Sequence, residues 1–449
     1  MRVAVIGAGV VGVATAYELA ADGHEVVVLE RRGSVAVESS FAPAGLASPG
    51  ALGPWSGPGV PGRLLHSVFG RTSPWRVSPG MRSLGWMWRW WRAGQPAPHR
   101  AMHARLHRLA AYSQERLHGL AGALQLDYER SDGHVVLLRT ARDQAQLAPT
   151  LALLSEHGVR HNVVDAARCL ALEPGLNADT PLHGGLHLPD DEVGNCRQFA
   201  MLMRTEAERL GALFRFHSTV ESLQAGPSPR LRIIHSPHEE TTSRLSSAGD
   251  AATPRAFQPT QPLDEPMEES FDAVVVCAAT GSAELLRPHG VRLPVAAVFG
   301  QSVTAPIRHV EAHPDIGPRS VVTDHAHRVV IHRLGSRLRV SGGARLGGSV
   351  KRHQPEELAR LYRVLDDWFP GAARLSQAQR WNGARPMMPD GAPVIGSAGL
   401  TGVWLNVGHG SAGWALSCGS ARVLADALSG RQATIDASGL GLDRLGGRP

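Results

Sequence analysis

Lysine is almost absent from this sequence: Lys351 is the only one among 46 Lys and Arg residues. The arginines are scattered along the chain, and no basic run is longer than Arg31-Arg32. The net charge of +6 therefore does not read as a nucleic-acid footprint, which needs a cluster or stripe of cations. Cysteine is scarce as well. Cys169, Cys196, Cys277 and Cys418 lie far apart with no C-x-x-C pair, which argues against a zinc site, a redox dithiol and a disulfide framework. No apolar stretch reaches the roughly 18 residues needed to cross a bilayer. The first residues already read as a strand, without a leader pattern. These absences predict a cytoplasmic protein with no metal and no nucleic-acid partner.

What is present is an ordinary globular composition, 43% apolar and 19% charged, in 449 residues. That length suits two or three domains of about 100–200 residues each. A strand at 2–6, a helix over 10–22 stopped by Gly23 and a strand at 25–29 make a β-α-β unit at the start of the chain. Strands are expected at 134–139, 213–217, 231–235, 273–276 and 337–340, and helices at 143–158 and 196–210. Between 225 and 270 the composition turns to Ser, Thr, Pro, Glu and Ala, which predicts a mobile insertion over 236–268. A last strand-turn-helix unit runs from 403 to about 429, and a disordered tail is expected at 439–449. The fold class is α/β (α+β overall).

The chemistry starts at Gly7-Ala8-Gly9-Val10-Val11-Gly12. Gly7 permits the tight turn, Gly9 lets backbone approach a pyrophosphate, and Gly12 lets helix and strand pack closely. The helix N-terminus offers free N–H groups and the positive end of its dipole to the phosphates. Glu30 ends the second strand, where a carboxylate accepts from a ribose hydroxyl and repels a 2′-phosphate. This unit reads as an adenine-dinucleotide site, whether for FAD or NAD. Two later segments favour FAD. Residues 272–281 form an apolar strand ending in Ala278, Ala279 and Gly281. At Gly408-His409-Gly410-Ser411-Ala412-Gly413-Trp414 a second glycine turn leads onto a helix, whose dipole can stabilise negative charge on a reduced flavin. A serine-hydrolase elbow is excluded, since His409 stands two before Ser411 where G-x-S-x-G has glycine.

In their order along the chain, GAGVVGVATAYELAADGHEVVVLER, PAGLASPGALGPWSGPGVP, GGLHLPDDEVGNC, ARPMMPDGAPVIG and LNVGHGSAGW resemble the bacterial D-amino acid dehydrogenases of the D-amino acid oxidase superfamily. The resemblance runs from Met1 to about Arg431. It implies a two-dinucleotide-fold flavoprotein: a Rossmann-like FAD-binding domain from 1–62, 184–290 and 380–438, and a discontinuous antiparallel-sheet substrate-binding domain from 63–183 and 291–379. It further implies noncovalent FAD, oxidation of D-amino acids to imino acids, and electrons passed to a quinone or respiratory-chain acceptor. Arg385 takes the role of holding the substrate carboxylate, which suits a guanidinium fork. Further substrate contacts are expected from Leu46, Gln301 and Arg345. Cofactor contacts are expected from Val5, Gly7, Gly9, Val10, Val11 and Gly12, from Glu30, Arg31, Ser39, Ser40, Ala44, Gly45 and Leu46, from Val220, and from Ala278, Ala279, Gly281, Gly408, His409, Gly410, Gly413 and Trp414. His409 has two readings, polarising the flavin edge or contributing only its backbone. The chain departs from the family pattern at Pro43 for Asn, Leu46 for Gln, Phe299-Gly300-Gln301 for Lys-Gly-Tyr, and Arg345 for an acid.

Two rival functions stay open: an oxidase of glycine, sarcosine or another secondary or cyclic amine, and a non-catalytic flavin-binding subunit. Trp86-Met-Trp-Arg-Trp-Trp91, with Arg82 and Arg92 beside it, reads either as helix packing or, across 82–92, as peripheral contact with the inner face of the cytoplasmic membrane. His103 and His107, four apart with no third ligand nearby, read as a surface pair.

Overall fold

The computed structural model describes residues 1–47, 49–50, 56–57, 75–77, 84–236, 266–308, 316–347 and 354–446. Strand Arg2–Ile6 lies inside a six-stranded sheet, paired in parallel with Glu25–Leu29 and Ala273–Val276. Outward from there, Leu213–Arg215 forms one edge, while Val403–Val407 and the antiparallel Val394–Leu400 complete the other. The central strands are apolar at nearly every position because both faces are covered. Successive side chains point to opposite faces. Val3, Val5, Val26 and Val28 therefore pack with residues of helices Val10–Ala21, Pro96–Leu124, Cys196–Arg209 and Gly413–Leu428. Ala4, Ile6, Val27 and Leu29 pack instead with Leu223, Leu231 and Ile233 of a small antiparallel sheet. Its strands are Ser218–Gln224, Arg230–His235 and Met267–Ser270.

A nine-stranded sheet forms the second body of structure. From one edge it runs Gln379–Met387, Ala296–Pro306, Arg337–Leu346, Val329–Leu334, Val321–Asp324, Ser131–Leu138, Gly184–Val193 and Asn162–Asp165, with Trp75–Val77 beside Arg337–Leu346. Helix Pro355–Trp368 lies across it, burying Leu361, Val364 and Trp368 with Val303, Ile331 and Val340. The mixed parallel and antiparallel architecture is the one expected.

Several boundaries differ from the expectation. Gly184–Val193 pairs with Ser131–Leu138 and Asn162–Asp165, and Gln379–Met387 pairs with Ala296–Pro306, so divisions at 184 and 380 cut through the nine-stranded sheet. Helix Pro96–Leu124, expected on the substrate side, packs Leu106, Leu109 and Leu117 into the core beside the parallel sheet. The helix expected over 143–158 is broken into Ala141–Gln146 and Ala148–Glu156, with Pro149 in the first turn of the second. The tail is ordered through residue 446: Leu440 and Leu442 are buried, and Arg444 Nε donates to Asp390 at 2.8 Å. Most of the insertion at 236–268 lies outside the described residues. Its end, Met267–Ser270, pairs antiparallel with Arg230–His235.

The tryptophan helix, Leu84–Ala93, meets the packing reading on one side. Trp86 and Trp90 are buried with Val298, Leu346 and Met387, and Trp86 Nε1 donates to the Pro294 carbonyl at 2.9 Å. Trp88 and Trp91 are exposed, and the Arg92 guanidinium lies 5.5 Å from the Trp88 ring. Arg82 lies outside the described residues. His103 is not a surface residue: it is buried and stacks on His157, whose ring also stacks on His107. No group among the described residues is arranged to hold a metal ion. Nor is any described helix long and apolar enough to cross a membrane.

Candidate active site

The first strand of the parallel sheet ends in the glycine turn. Gly7 sits at φ +103°, a conformation that L side chains rarely adopt, and its N–H donates to the Leu29 carbonyl at 2.9 Å. A Cβ on Gly12 would collide with the Gly7 carbonyl oxygen, which explains a glycine where helix Val10–Ala21 meets the strand. That helix starts at Gly9 with no side-chain cap of its own and no acid in its first turn. The Glu30 carboxylate accepts from Ala8 N at 2.7 Å and from Arg32 N at 2.8 Å. Burial pushes the Glu30 carboxyl above its ordinary range, and those two backbone bonds pull it back. The Arg31 and Arg32 guanidinium groups both bind Glu38, at 2.6 and 2.9 Å, so a carboxylate already balances the pair that a 2′-phosphate would need.

The second glycine turn follows strand Val403–Val407. Gly408 and Gly410 both have positive φ, and a Cβ on either would press into Met388 or Met387. Helix Gly413–Leu428 begins without a side-chain cap and without a first-turn acid. Two helix N-termini thus reach one cavity of about 440 Å³; neither has an acid in its first turn, and at the first the Ser40 hydroxyl accepts from Val10 N at 3.1 Å. His409 Nε2 lies 3.0 Å from the Ser420 hydroxyl, and burial pushes the imidazole down to about 3, which keeps it neutral. A bridge between Met387 and His409 joins this turn to the strand that carries Arg385.

The cavity wall gathers most of the expected residues. From the first turn and the segments after it come Gly7, Gly9, Val10, Val11, Glu30, Arg31, Ser39, Ser40 and Ala44. Val220, Ala278, Ala279 and Gly281 line its middle, and Gly408, His409, Gly410, Gly413 and Trp414 its far side. Gln301 and Arg385 line the end formed by the nine-stranded sheet. Five expected residues stay outside the wall. Val5 is buried in its strand and Gly12 in the helix contact. Gly45 accepts through its carbonyl from Trp414 Nε1 at 3.0 Å, and Leu46 forms a bridge with Val193. Arg345 is buried behind the wall, its guanidinium 5.7 Å from the Phe299 ring.

Arg385 is paired not with Asp390, which binds Arg444, but with backbone: among the described residues its one hydrogen bond runs from Nη1 to the Gly343 carbonyl at 2.8 Å. Burial lowers its affinity for the proton, and Glu357 nearby raises it. Among the described residues the rest of the guanidinium edge has no hydrogen-bond partner. Trp381, Ser341 and Asn406 also line the cavity and were not singled out. Trp381 had a readable signal, since strand alternation puts it on the face of Arg385, with its ring over Gly383 between them. The Ser341 hydroxyl and Asn406 Oδ1 are buried without a hydrogen-bond partner among the described residues.

Residues 2–427 match the family model described as FAD dependent oxidoreductase (DAO). The chain belongs to this family. It is 38% identical over 448 residues to a D-amino acid dehydrogenase of Rhizorhabdus wittichii, covering 99% of this chain and 100% of the relative. A D-amino acid dehydrogenase of Bradyrhizobium diazoefficiens is 36% identical over 455 residues, with 100% of both chains covered. Among solved structures, glycine oxidase from Geobacillus kaustophilus superposes with a TM-score of 0.72 at 19% identity, covering 98% of each chain. L-proline dehydrogenase from P. horikoshii gives 0.67 at 14%, covering 99% of this chain and 97% of the other. The protein is an FAD-dependent oxidoreductase.

FAD fits the residues present. The helix N-terminus after Gly9 suits the pyrophosphate, Glu30 the ribose, and the helix N-terminus at Gly413 the flavin edge.

Proposed function

We propose that this protein is a D-amino acid dehydrogenase that converts D-amino acids to 2-oxo acids and ammonia and delivers the electrons to a quinone-type acceptor. The observation that carries this reading is Arg385: a half-buried guanidinium in the cavity wall, held by one backbone carbonyl and, among the described residues, otherwise without a protein partner. A planar fork of this kind binds a carboxylate through two parallel charge-assisted bonds. It would fix the α-carbon while Gly408, Gly410 and Gly413 bring backbone close to the cofactor edge. FAD held there would supply the hydride acceptor for the α-hydrogen of the neutral amine, and the resulting imine would hydrolyse to the 2-oxo acid and ammonia. Trp381 lines the same end of the cavity. His409, neutral and turned to Ser420, serves the site through its backbone.

The acceptor and the membrane belong to the same proposal. Exposed Trp88 and Trp91, with Arg89 and Arg92 on the same helix and no acid in its first turn, suit an anionic bilayer interface on the inner face of the cytoplasmic membrane. The names of the relatives support the D-amino acid reading.

The deciding experiment is anaerobic reduction of the purified holoprotein by D- and L-amino acids and N-methyl amines, followed by reoxidation with quinone or air. Bleaching by D-amino acids and faster reoxidation by quinone is the expected result. Bleaching only by glycine, sarcosine or a cyclic amine, with rapid reoxidation in air, would replace it with an amine oxidase. A flavin that no amine reduces would leave a non-catalytic subunit.

A further inference from the structure

The face of the nine-stranded sheet that carries Arg385 also buries a second arginine. Arg339, on strand Arg337–Leu346, is 5% exposed. It stands directly across from Thr304, and Gly300, Ser302 and Thr304 alternate onto that one face of the neighbouring strand. Arg339 Nε donates to the Thr304 hydroxyl at 2.8 Å, and Nη1 donates to the Pro43 carbonyl at 3.1 Å. Both acceptors are neutral. Among the described residues no carboxylate forms an ion pair with it, and the nearby acid Glu129 pairs with Arg337 at 2.9 Å.

The other neighbours do not cancel the charge. The His332 imidazole lies across from Arg339 on the next strand, and burial holds it neutral. The Cys196 thiol is pushed up to about 12 by burial and is neutral too. Arg197, half-buried with its guanidinium 4.3 Å from the Phe41 ring, adds a further positive charge. Burial pushes Arg339 down to about 10, which leaves it charged at neutral pH. A buried cation without a counter-charge costs stability. Its place suits an anion that the protein itself does not supply.

Ala42, Pro43 and Cys196 all line the cofactor cavity, and so does Ser341, two residues on from Arg339 and on the same face. The segment that contains Pro43 begins at Ser40, whose hydroxyl accepts from Val10 N at the pyrophosphate end. It ends at Gly45, whose carbonyl accepts from Trp414 Nε1 at the start of helix Gly413–Leu428. Arg339 thus stands behind the wall, one residue from the cavity, close to where the flavin edge fits.

We propose that Arg339 is a fixed positive charge that raises the affinity of the bound flavin for electrons, acting through the low-dielectric wall behind Pro43 and not by contact. Hydride transfer brings negative charge to this end of the cavity, and a preorganised cation stabilises that charge without having to move. This role requires FAD in the cavity and does not depend on which amine is oxidised.

The test measures the two-electron midpoint potential of the holoprotein by anaerobic equilibration with a reference dye, which needs no substrate. Arg339→Met removes the charge at similar length, and Arg339→Lys keeps it. Ser302→Ala removes a different bond to the same segment, from the Ser302 hydroxyl to the Ala42 carbonyl at 2.9 Å, and changes no charge. Arg339→Met should weaken the hold of the flavin on its electron pair at least about tenfold, the scale of one charge at short range inside a protein. For a two-electron couple that is a fall of about 30 mV. Arg339→Lys and Ser302→Ala should stay within about threefold of wild type. An unchanged potential in Arg339→Met would overturn the proposal. So would an equal fall in Ser302→Ala or in Arg339→Lys, because the shift would then follow the shape of the segment and not the charge. Should Arg339→Met not retain FAD, Arg339→Gln takes its place, neutral and still able to donate to Pro43. The same fall in that variant supports the proposal, and an unchanged potential overturns it.

Discussion

The Arg385 guanidinium lies against Gly300: a Cβ built on Gly300 would stand 2.5 Å from Nη2 and 2.8 Å from Cζ. The glycine is there because a flat cation rests on it, in the strand paired beside its own. Gly300→Ala should push the fork out of line while leaving the dinucleotide end untouched. A displacement on the order of 1 Å can cost about a hundredfold in rate. We expect kcat/KM for amino acids to fall by about ten- to a hundredfold with normal flavin content. Steady-state kinetics beside the visible spectrum checks this, and unchanged kinetics would remove Gly300 from the site.

Arg385→Lys keeps the charge and loses the fork. An ammonium is a point donor and cannot make two parallel bonds to a carboxylate. With hydrogen bonds to charged groups worth about 1.5–3 kcal/mol each, the loss in kcat/KM should be about ten- to a hundredfold. It should appear equally in the binding of a substrate-like carboxylate without an amine. A variant that binds such carboxylates as tightly as wild type would mean that the acid end sits elsewhere.

At the other end of the cavity the limiting contact is between Gly12 and the Gly7 carbonyl. A side chain at position 12 must push helix Val10–Ala21 away from the turn, and with it the N–H groups that face the pyrophosphate. Gly12→Val is therefore expected to give protein with little or no FAD, measured as the flavin-to-protein absorbance ratio after purification. Full flavin occupancy in that variant would contradict this account of the turn.

The two glycine turns were legible in the sequence because each is local: strand, turn and helix follow one another, and Gly7 to Glu30 fits in one β-α-β unit. The partition into sheets was much less so. Whether Gly184–Val193 joins the parallel or the antiparallel sheet depends on partners at 131–138 and 162–165, and its own residues look the same either way. The tail misled for a related reason. Its order rests on two buried leucines and one arginine reaching Asp390, against a background of glycine. Arg339 left no signal at all. Its acceptor on Pro43 is 296 residues away, and in the sequence it is one of three arginines on its strand.

His409 gives the chain a specific dependence on acid. Its imidazole is buried, bonded to Ser420, and pushed from an ordinary 6.5 to about 3. The folded protein therefore resists a proton that the unfolded chain takes up readily. The stability this neutral ring allows is fully present above about pH 6.5 and is lost as pH falls toward 3, because only the unfolded state gains the proton in that window. One such proton corresponds to a slope of at most about 1.4 kcal/mol per pH unit. His103, pushed to about 4 by burial and by His157, acts in the same direction, so the wild-type slope exceeds one proton. His409→Gln keeps a polar group facing Ser420 and cannot titrate. Denaturant unfolding of the holoenzyme between pH 7 and 4 should show a shallower decline for this variant, by up to one proton. The pH profile of flavin reduction above pH 6 should be the same in both, since His409 stays neutral throughout that range. A variant as acid-sensitive as wild type would show that the ring takes up its proton in the folded state, and a changed pH profile would show that it faces the flavin after all.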